Sequence, residues 1–592
     1  MTRQIEDYAL LGDGSTAALL SRDGSIDWLC WPRFDDDACF AALLGTPENG
    51  SWSLAPDEAV VRRDRRYQPD TVIVETDFET LGGHVRIIDF MPVGNFPSSV
   101  VRIVVGLRGT VTMRSTLRLR FDYGRLSPWA ERIDRTLQAS IGPDQVVLRT
   151  DVQLSLADDI IQAVFDVAAG ARIAFVMSYG RSHQPLPRAV NAEAALLDTQ
   201  TYWRGWIGKF DTARTEWPGA VKRSLLTLKA LTHHGTGAIV AAPTTSLPEA
   251  PAAELNWDYR YSWLRDTSFA MVALLNAGFD AEAYAWRNWV LRTIAGSPEH
   301  IQVLYRVDGG RHVHEWNVDW LQGFRYARPV RIGNAAAGQH QVDVLGEVID
   351  CLDVARRAGM PPSSQDDIVQ RRIVEHLESV WNTPGSGIWE SRAKPRHFTY
   401  SRVMAWVAFD RFVEHRSSIE GVDAHLIARF TALRETIHAE ICREGWNDGL
   451  GAFTQFYGGE ELDASLLLMP LVGFLPADDA RMASTIERIR CDLDEKGLIR
   501  RHKKFPAEAN EGAFLACSCW MADCLQMQGR TAQAKMQFER VLSVANDLGL
   551  LSEQYNVPSR QLAGNFPQAL THLAIVNTAL GLCGPTLQRG GG

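Results

Sequence analysis

The sequence lacks long hydrophobic runs and long runs of basic residues, and each absence excludes a class of protein. No apolar stretch is long enough to cross a bilayer, and the residues after Met1 carry no apolar segment typical of a secretory signal. No long run of Lys or Arg occurs, and the formal net charge is −10. We therefore expect no membrane and no nucleic-acid partner, whereas a neutral, hydroxyl-rich ligand is compatible with this charge.

The cysteines are also too irregular for a disulfide framework, because the nine of them form an odd number without regular spacing. Cys517, Cys519 and Cys524 lie close together, but their spacing matches no common zinc motif. His312 and His314 are two residues apart, whereas a helical zinc pair uses positions i and i+4, so we favour a structural or substrate-contacting role. We predict buried free thiols, no metal, no cofactor and a reducing cytoplasm.

The N-terminal third has the pattern of a β-sandwich. The 592 residues exceed the size at which one hydrophobic core stops growing, so at least two domains are expected. Residues 1–205 contain short runs rich in β-branched residues, such as 71–78, 84–90 and 100–105, separated by Gly and Pro pairs. Several runs alternate apolar with polar residues, as half-buried strands do. We therefore predict a β-sandwich domain over residues 1–205.

After about residue 195 the hydrophobic period changes to 3.6, which is typical of helices. We predict a linker and a first helix over residues 206–235 and a helical domain over 236–592. The predicted helices cover about 217–235, 264–278, 280–296, 336–358, 366–382, 400–416, 424–442, 462–474, 478–495, 511–528, 531–548 and 566–581.

The connections between these helices alternate between long and short. If successive helices run up and down, all the long connections lie at one end, where long loops usually carry function. Six helical hairpins closed into a ring, an (α/α)6 barrel, would produce this alternation. An open solenoid would produce it as well, but a solenoid should show sequence repeats, and none is visible.

The long loops are rich in Trp, Tyr, Arg, Asp and Glu, above all in segments 256–266, 387–392, 445–449 and 551–555. Sugar recognition needs both classes of residue, since aromatic rings cover the apolar face of a pyranose and polar groups bind its hydroxyls. We therefore predict a sugar-binding site on this rim.

Each motif also has a structural interpretation. Trp257 and Trp263 suit core positions near a helix start. The pair Arg265–Asp266 suits a helix N-terminus, where the macrodipole favours an acidic residue. Glu390 and Glu553 suit solvated loop carboxylates, as most Glu residues are. Because all these motifs fall on one predicted rim, we favour a sugar-binding site over the structural interpretation.

Three of these motifs resemble those of the glucoamylase and trehalase family, glycoside hydrolase family 15. Tyr259–Asp266 resembles the family's Tyr-x-Tyr-x-Trp-x-Arg-Asp motif, Ile388–Glu390 its general-acid motif, and Leu551–Tyr555 its general-base motif. Residues 7–19 and 21–35 resemble the N-terminal domain of the bacterial and archaeal trehalase-like members. The resemblance covers the whole helical half and implies the (α/α)6 barrel.

The resemblance also implies roles for individual residues. Glu390 would protonate the glycosidic oxygen and Glu553 would activate the attacking water. Arg265 and Asp266 would hold the hydroxyls of the terminal glucose, in a pocket shaped by Tyr259 and Trp263. The other residues expected to contact substrate are Trp257, Trp389, Asn334, Arg392, Glu511 and Trp520.

One position departs from the family. Fungal glucoamylases carry a second acidic residue directly after the general acid, where this chain has Ser391. We therefore expect inverting hydrolysis of a terminal α-glucosidic bond that releases β-glucose, with α,α-trehalose ahead of α-1,4-linked or other α-linked gluco-oligosaccharides. Inverting enzymes hold their two carboxyl groups about 6.5–9.5 Å apart, which leaves room for a water.

Two other functions remain open at this stage. An inverting disaccharide phosphorylase would replace the base with a phosphate pocket, and a non-catalytic sugar-binding protein would lose one carboxylate. The sequence leaves open a homo-oligomer. Segment 28–35 is rich in aromatic and charged residues, and we predict that it packs against the barrel towards its mouth; the alternative is a turn buried within the sandwich.

Overall fold

The computed structural model describes residues 3–133, 135–250, 254–361, 363, 365–417, 423–503, 511–587 and 589. Within these residues the N-terminal part contains fifteen strands: β1 (Tyr8–Gly12), β2 (Ala17–Ser21), β3 (Ser25–Cys30), β4 (Ala38–Phe40), β5 (Ser51–Pro56), β6 (Val60–Tyr67), β7 (Val74–Thr80), β8 (Gly83–Phe90), β9 (Ser99–Arg118), β10 (Trp129–Ile133), β11 (Thr136–Ile141), β12 (Asp144–Thr150), β13 (Ser155–Ala157), β14 (Ile160–Ala168) and β15 (Arg172–Arg181).

The long strand β9 joins the two layers of the predicted sandwich. Its first half pairs with β8 and β15, and its second half pairs with β5 and β14, in each case antiparallel. Side chains alternate between core and surface, as along β7, and Trp52 of β5 meets Phe175 of β15 with ring centroids 6.5 Å apart. The β-sandwich is confirmed.

The helices follow in the predicted order. The main ones are α1 (Ala192–Ile207), α2 (Pro218–Ala230), α3 (Thr267–Asn276), α4 (Asp280–Thr293), α5 (Asp343–Arg357), α6 (Asp366–Val380), α7 (Thr399–Ser417), α8 (Ala424–Glu444), α9 (Leu468–Leu471), α10 (Ala480–Asp492), α11 (Leu515–Met527), α12 (Thr531–Leu542) and α13 (Ala569–Gly581). A 3-10 turn, Ala464–Leu467, leads directly into α9.

Helix α1 was not predicted and lies within the residues that the sequence assigned to the sandwich. It begins after Asn191, whose side chain accepts a hydrogen bond from the Ala194 amide, and it buries Ala195 and Leu196 on the sheet face formed by β9 and β15. The change of period therefore marked this helix, and the predicted boundary at residue 205 lies near its end.

Helices α3, α5, α7, α9, α11 and α13 form an inner ring in which each packs on the next, and α13 closes the ring against α3. Burial separates the two layers. All but one of the ten residues of α3 are buried, but only three of the twelve in the outer helix α12. A closed ring excludes the open solenoid and confirms the (α/α)6 barrel. The long loops precede the inner helices, so they meet at one rim.

The sandwich packs on this barrel through the segment predicted from sequence. The Trp28 indole donates to the Pro243 carbonyl at 2.7 Å, and Asp35 accepts from the Val307 amide at 3.0 Å. In the described part of the chain, no residue of 28–35 lines the rim cavity, so the segment does not reach the mouth. Among the described helices, none has the length and apolar character that crossing a bilayer requires.

Candidate active site

A cavity of about 760 Å³ opens at the rim of long loops, and both expected catalytic carboxylates line it. Its volume lies within the range of about 300–1,000 Å³ typical of small-molecule sites. Tyr259 and Arg265 come from the loop before α3, Glu390 from the loop before α7, and Glu553 from the loop before α13. The barrel thus brings together residues nearly 300 positions apart in sequence.

Glu390 is held by two donors on the same oxygen. Its Oε1 accepts from the Trp263 indole at 2.5 Å and from the Arg265 guanidinium at 2.9 Å. Because both bonds go to Oε1, Oε2 is the oxygen that can carry a proton towards a substrate.

The backbone that presents Glu390 is a tight loop. Glu390 itself has φ +57°, a left-handed conformation that non-glycine residues adopt at a cost of about 1–3 kcal/mol. Gly387 has φ +70°, and a Cβ at this position would lie 2.8 Å from the Phe398 ring. The loop is closed by reciprocal backbone hydrogen bonds of 2.9 Å between Gly385 and Arg396. Only glycine therefore fits position 387 of the Gly-Ile-Trp-Glu motif.

Glu553 has one hydrogen bond and one bare oxygen. The Tyr259 hydroxyl donates to its Oε1 at 2.7 Å, while the buried Oε2 has no hydrogen-bond partner among the described residues. The side chains of its neighbours in sequence, Ser552 and Gln554, make their hydrogen bonds elsewhere. The Ser552 hydroxyl donates to the Gln554 carbonyl, and the Gln554 amide donates to Glu249 at 2.8 Å. Both flanking side chains are thus bonded to groups other than the Glu553 carboxylate.

The two carboxylates flank one aromatic pair. Tyr259, which bonds Glu553, meets Trp263, which bonds Glu390, with ring centroids 5.3 Å apart in an edge-to-face contact. Each candidate carboxylate is therefore bonded to a different ring of the same aromatic pair.

Both carboxyl groups hold protons more firmly than an exposed glutamate does. Burial raises the pKa of Glu390, and the Arg265 charge and the Trp263 hydrogen bond offset this only in part. Burial, together with the negative charge of Glu249, raises the pKa of Glu553 to about 8, against the lowering effect of Arg501. Both carboxyl groups are thus biased towards the protonated form, which suits an acid role for Glu390, whereas a base role for Glu553 requires an ionised carboxylate, which the positive charge of Arg501 favours.

The other expected substrate residues occupy two kinds of position. Those that line the cavity are Tyr259, Arg265, Trp389, Trp257, Asn334, Arg392 and Glu511. Those that lie behind the wall are Trp263, Asp266 and Trp520. Asp266 accepts from Arg265 at 2.9 Å and so orients the guanidinium that binds Glu390.

Trp389 and Trp520 form a layered wall. Their rings stack with centroids 6.2 Å apart, and Trp520, only 1% exposed, is the inner of the two. The Trp389 indole donates to Asp463 at 2.9 Å, which fixes the ring, and Arg501 lies over it at 5.5 Å. Trp389 is therefore the ring that can meet a sugar, and Trp520 supports it.

The opposite side of the mouth carries a cationic cluster. The guanidinium groups of Arg331 and Arg392 lie 4.4 Å and 4.0 Å from the Trp257 ring centroid. Glu315 accepts from Arg392 at 2.8 Å, and these hydrogen bonds lower the pKa of Glu315 despite its partial burial. Asn334 has a structural task as well, since its side chain caps the 3-10 turn at Ala336.

The sequence analysis named Glu511 but did not single out Arg501 or Glu249. Arg501 binds Glu249 at 2.7 Å and also Glu511, so it bridges two buried carboxylates beside Glu553. Neither Glu249 nor Arg501 lies in an aromatic-rich motif, and only the folded ring brings them to the cavity. The cluster Cys517, Cys519 and Cys524 lies buried as free thiols in α11.

Comparisons with known proteins agree with this geometry. Residues 218–580 match the model of glycosyl hydrolases family 15, and residues 1–195 match the trehalase-like N-terminal model. A trehalase of Mycobacterium tuberculosis is 35% identical over 97% of this chain and 89% of its own length. A trehalase of Thermoplasma volcanium is 31% identical over 97% and 93%. A bacterial glucoamylase complexed with acarbose shares the fold, with TM-score 0.74 at 12% identity over 98% of this chain and 95% of its own.

Proposed function

Because the chain belongs to glycosyl hydrolase family 15, we propose that it hydrolyses α,α-trehalose with inversion at the attacked carbon. The observation that carries the proposal is the pair Glu390 and Glu553, which flank the Tyr259–Trp263 rings in one cavity. The choice of trehalose is supported by relatives named trehalase that match both the sandwich and the barrel.

The residues divide the reaction between them. Glu390, protonated on Oε2 because Oε1 is bonded to Trp263 and Arg265, donates its proton to the glycosidic oxygen as the bond breaks. Glu553 accepts a proton from a water that attacks the opposite face of the sugar, and its bare Oε2 is the acceptor. The Tyr259 hydroxyl and the Arg501 charge stabilise the ionised form of Glu553.

Substrate binding is the task of the surrounding wall. Arg265, oriented by Asp266, binds hydroxyls of the terminal glucose, and Trp389 covers the apolar face of a sugar ring. On the leaving side, Ser391 supplies a neutral hydroxyl, and Arg392 projects to the Trp257 ring. This mixed neutral and cationic wall is compatible with the second glucose of trehalose. We further propose a reducing cytoplasm as the compartment, since all nine cysteines are free thiols.

The test is a substrate panel with anomer detection. The purified protein is incubated with trehalose, maltose, isomaltose, kojibiose, nigerose and maltopentaose, with and without phosphate, and glucose is measured. Trehalose should give the highest kcat/KM without any need for phosphate as a co-substrate. Early proton NMR should show equal amounts of β-glucose, from the attacked residue, and α-glucose, from the leaving residue.

Three results would redirect the proposal. Preference for maltopentaose would identify a glucoamylase. Formation of glucose 1-phosphate would identify a phosphorylase. Initial release of α-glucose alone from trehalose would contradict inversion and make Glu553 a nucleophile.

A further inference from the structure

The extended segment 257–261 sends alternate side chains to two different parts of the molecule. Tyr259 faces the cavity and donates to Glu553 at 2.7 Å. Arg260, fully buried, faces the other way, as alternation along an extended chain requires. The segment pairs with residues 242–246, since the Ala242 amide donates to the Tyr259 carbonyl at 2.9 Å and the Ser246 amide to the Trp257 carbonyl at 2.8 Å. A shift of Arg260 therefore moves Tyr259.

Arg260 binds the sandwich. Its Nη1 donates to the Asp36 carbonyl at 2.7 Å, and its Nη2 donates to the Tyr123 hydroxyl at 3.0 Å. The charge is balanced within the segment by Asp258, which accepts from Nη2 at 2.6 Å and from Nε at 2.9 Å. All three nitrogens of the planar guanidinium are used, which a lysine could not reproduce.

The sandwich loop that presents Tyr123 is strained. Asp122, Tyr123 and Gly124 have φ of +50°, +54° and +85°, three successive left-handed residues of which only one is glycine. Such conformations persist where the surroundings fix them, and they cluster at functional sites. Here the Trp320 indole, from a barrel loop, donates to the Tyr123 carbonyl at 3.0 Å. The loop is thus held with the Tyr123 hydroxyl against Arg260.

Two further bonds fix the same ladder. The Gly333 amide donates to Asp258 at 3.0 Å, which links the segment to the loop before α5. In the paired segment 242–246, the Pro243 carbonyl accepts a hydrogen bond from the Trp28 indole of the sandwich. Both segments that position Tyr259, 257–261 and 242–246, are therefore bonded to the N-terminal domain.

We propose that Arg260 is a positioning residue through which the N-terminal sandwich holds the Tyr259 hydroxyl against Glu553. The sandwich then contributes to catalysis without touching the substrate. This inference rests on the proposed function, in which Glu553 is the base.

The test is a double-mutant cycle on trehalose hydrolysis. Arg260→Lys keeps the charge but loses the planar guanidinium with its three donor nitrogens. We expect kcat to fall about 10- to 100-fold, which is the scale of a misplaced catalytic group, with a smaller change in KM. Tyr123→Phe removes one hydroxyl and should lower kcat less. In a Tyr259→Phe background, both substitutions should lose most of their effect, because the group they position is gone.

Asp308→Asn is the matched control at the same interface. It removes the 2.6 Å ion pair with Arg33, which has no bond to segment 257–261, and kcat should be unchanged. Melting temperatures are measured for every variant. If Arg260→Lys does not fold, Tyr123→Phe alone decides, since it removes only one oxygen.

Two outcomes overturn the inference while leaving the proposed function intact. The first is a fall in melting temperature with unchanged kcat. The second is a loss in kcat of equal size with Tyr259 and with Phe at position 259. By contrast, a wild-type protein inactive on every α-glucoside, or full activity in Glu553→Gln, would remove the proposed function itself.

Discussion

The surroundings of Glu390 and Glu553 differ although the two carboxylates share one cavity. Glu390 accepts two hydrogen bonds, one from a cation, and its side chain is 17% exposed. Glu553 is 3% exposed, accepts one hydrogen bond from a neutral hydroxyl, and has the buried carboxylate Glu249 as a neighbour that raises its pKa.

The contacts of Glu390 fix its position, whereas the contacts around Glu553 control its ionisation. Two donors on one oxygen of Glu390 fix the direction of its other oxygen, as a proton donor to a defined glycosidic oxygen requires. Glu553 keeps one oxygen without a protein partner, as a base that must bind water requires. Its charge is stabilised at a distance, since Arg501 is shared with Glu249 and Glu511. The proposed acid is thus fixed by direct bonds, and the ionisation of the proposed base is controlled by a network.

The largest loss of activity is expected from replacing Glu553 itself, because the surrounding network cannot replace its carboxylate. Glu553→Gln removes the group that activates water, so kcat should fall by about 10²–10⁴-fold on every substrate, natural or activated. Added azide should restore part of the rate by replacing the activated water. Glu539→Gln on α12, with the same change of net charge, is the control and should behave as wild type. A residual rate within a few-fold of wild type would show that Glu553 is not the base.

Glu390→Gln tests the other half of the comparison. On trehalose the loss should again be about 10²–10⁴-fold, because the leaving sugar needs a proton. On α-glucosyl fluoride, whose leaving group needs none, the loss should be much smaller. Steady-state rates on both substrates measure the difference. Equal losses on the two substrates would contradict the acid role and point to a binding defect.

The sequence predicted the residues that contact Glu390 directly better than it predicted the charged network of Arg501 and Glu249. All twelve barrel helices were predicted, because amphipathic periodicity depends on local spacing. Helix α5 begins at Asp343 rather than near residue 336, since Asn334 caps a separate 3-10 turn there. Tyr259, Trp263, Arg265 and Glu390 were found because they lie in short motifs whose residues act together.

Glu249 and Arg501 were missed for a physical reason. Their roles arise from a contact between the loops before α3 and before α11, about 250 residues apart, and neither lies in a motif. Trp520 shows the opposite error, because its aromatic character suggested substrate contact, whereas it supports Trp389 from within the wall. Sequence motifs reveal which side chains act, but the fold determines which carboxylates share a cation.

Tyr259→Phe isolates the single bond to Glu553. A hydrogen bond to a charged group contributes about 1.5–3 kcal/mol, so kcat/KM should fall by roughly 10- to 100-fold. Since this bond lowers the pKa of Glu553, its loss should raise that pKa and move the acidic limb of the kcat/KM profile to higher pH. Tyr284→Phe, at a half-exposed site on α4, is the control. An unshifted limb would mean that Tyr259 shapes the pocket without stabilising the ionised base.

The smallest change in rate, and the sharpest test of the network, is expected from Glu249→Gln. The negative charge of Glu249 raises the pKa of Glu553, so removing it should lower that pKa, and Arg501, freed from one partner, should act in the same direction. A base must be ionised, so kcat/KM rises with pH through its pKa, and a lower pKa moves the acidic limb to lower pH. The plateau rate should stay within about fivefold of wild type, the scale of one ordinary hydrogen bond. The pH profile of kcat/KM on trehalose, compared with that of Glu539→Gln, measures the shift. A limb that moves to higher pH would show that Glu249 acts mainly by holding Arg501 in place, and an unmoved limb would show that Glu553 ionises independently of both.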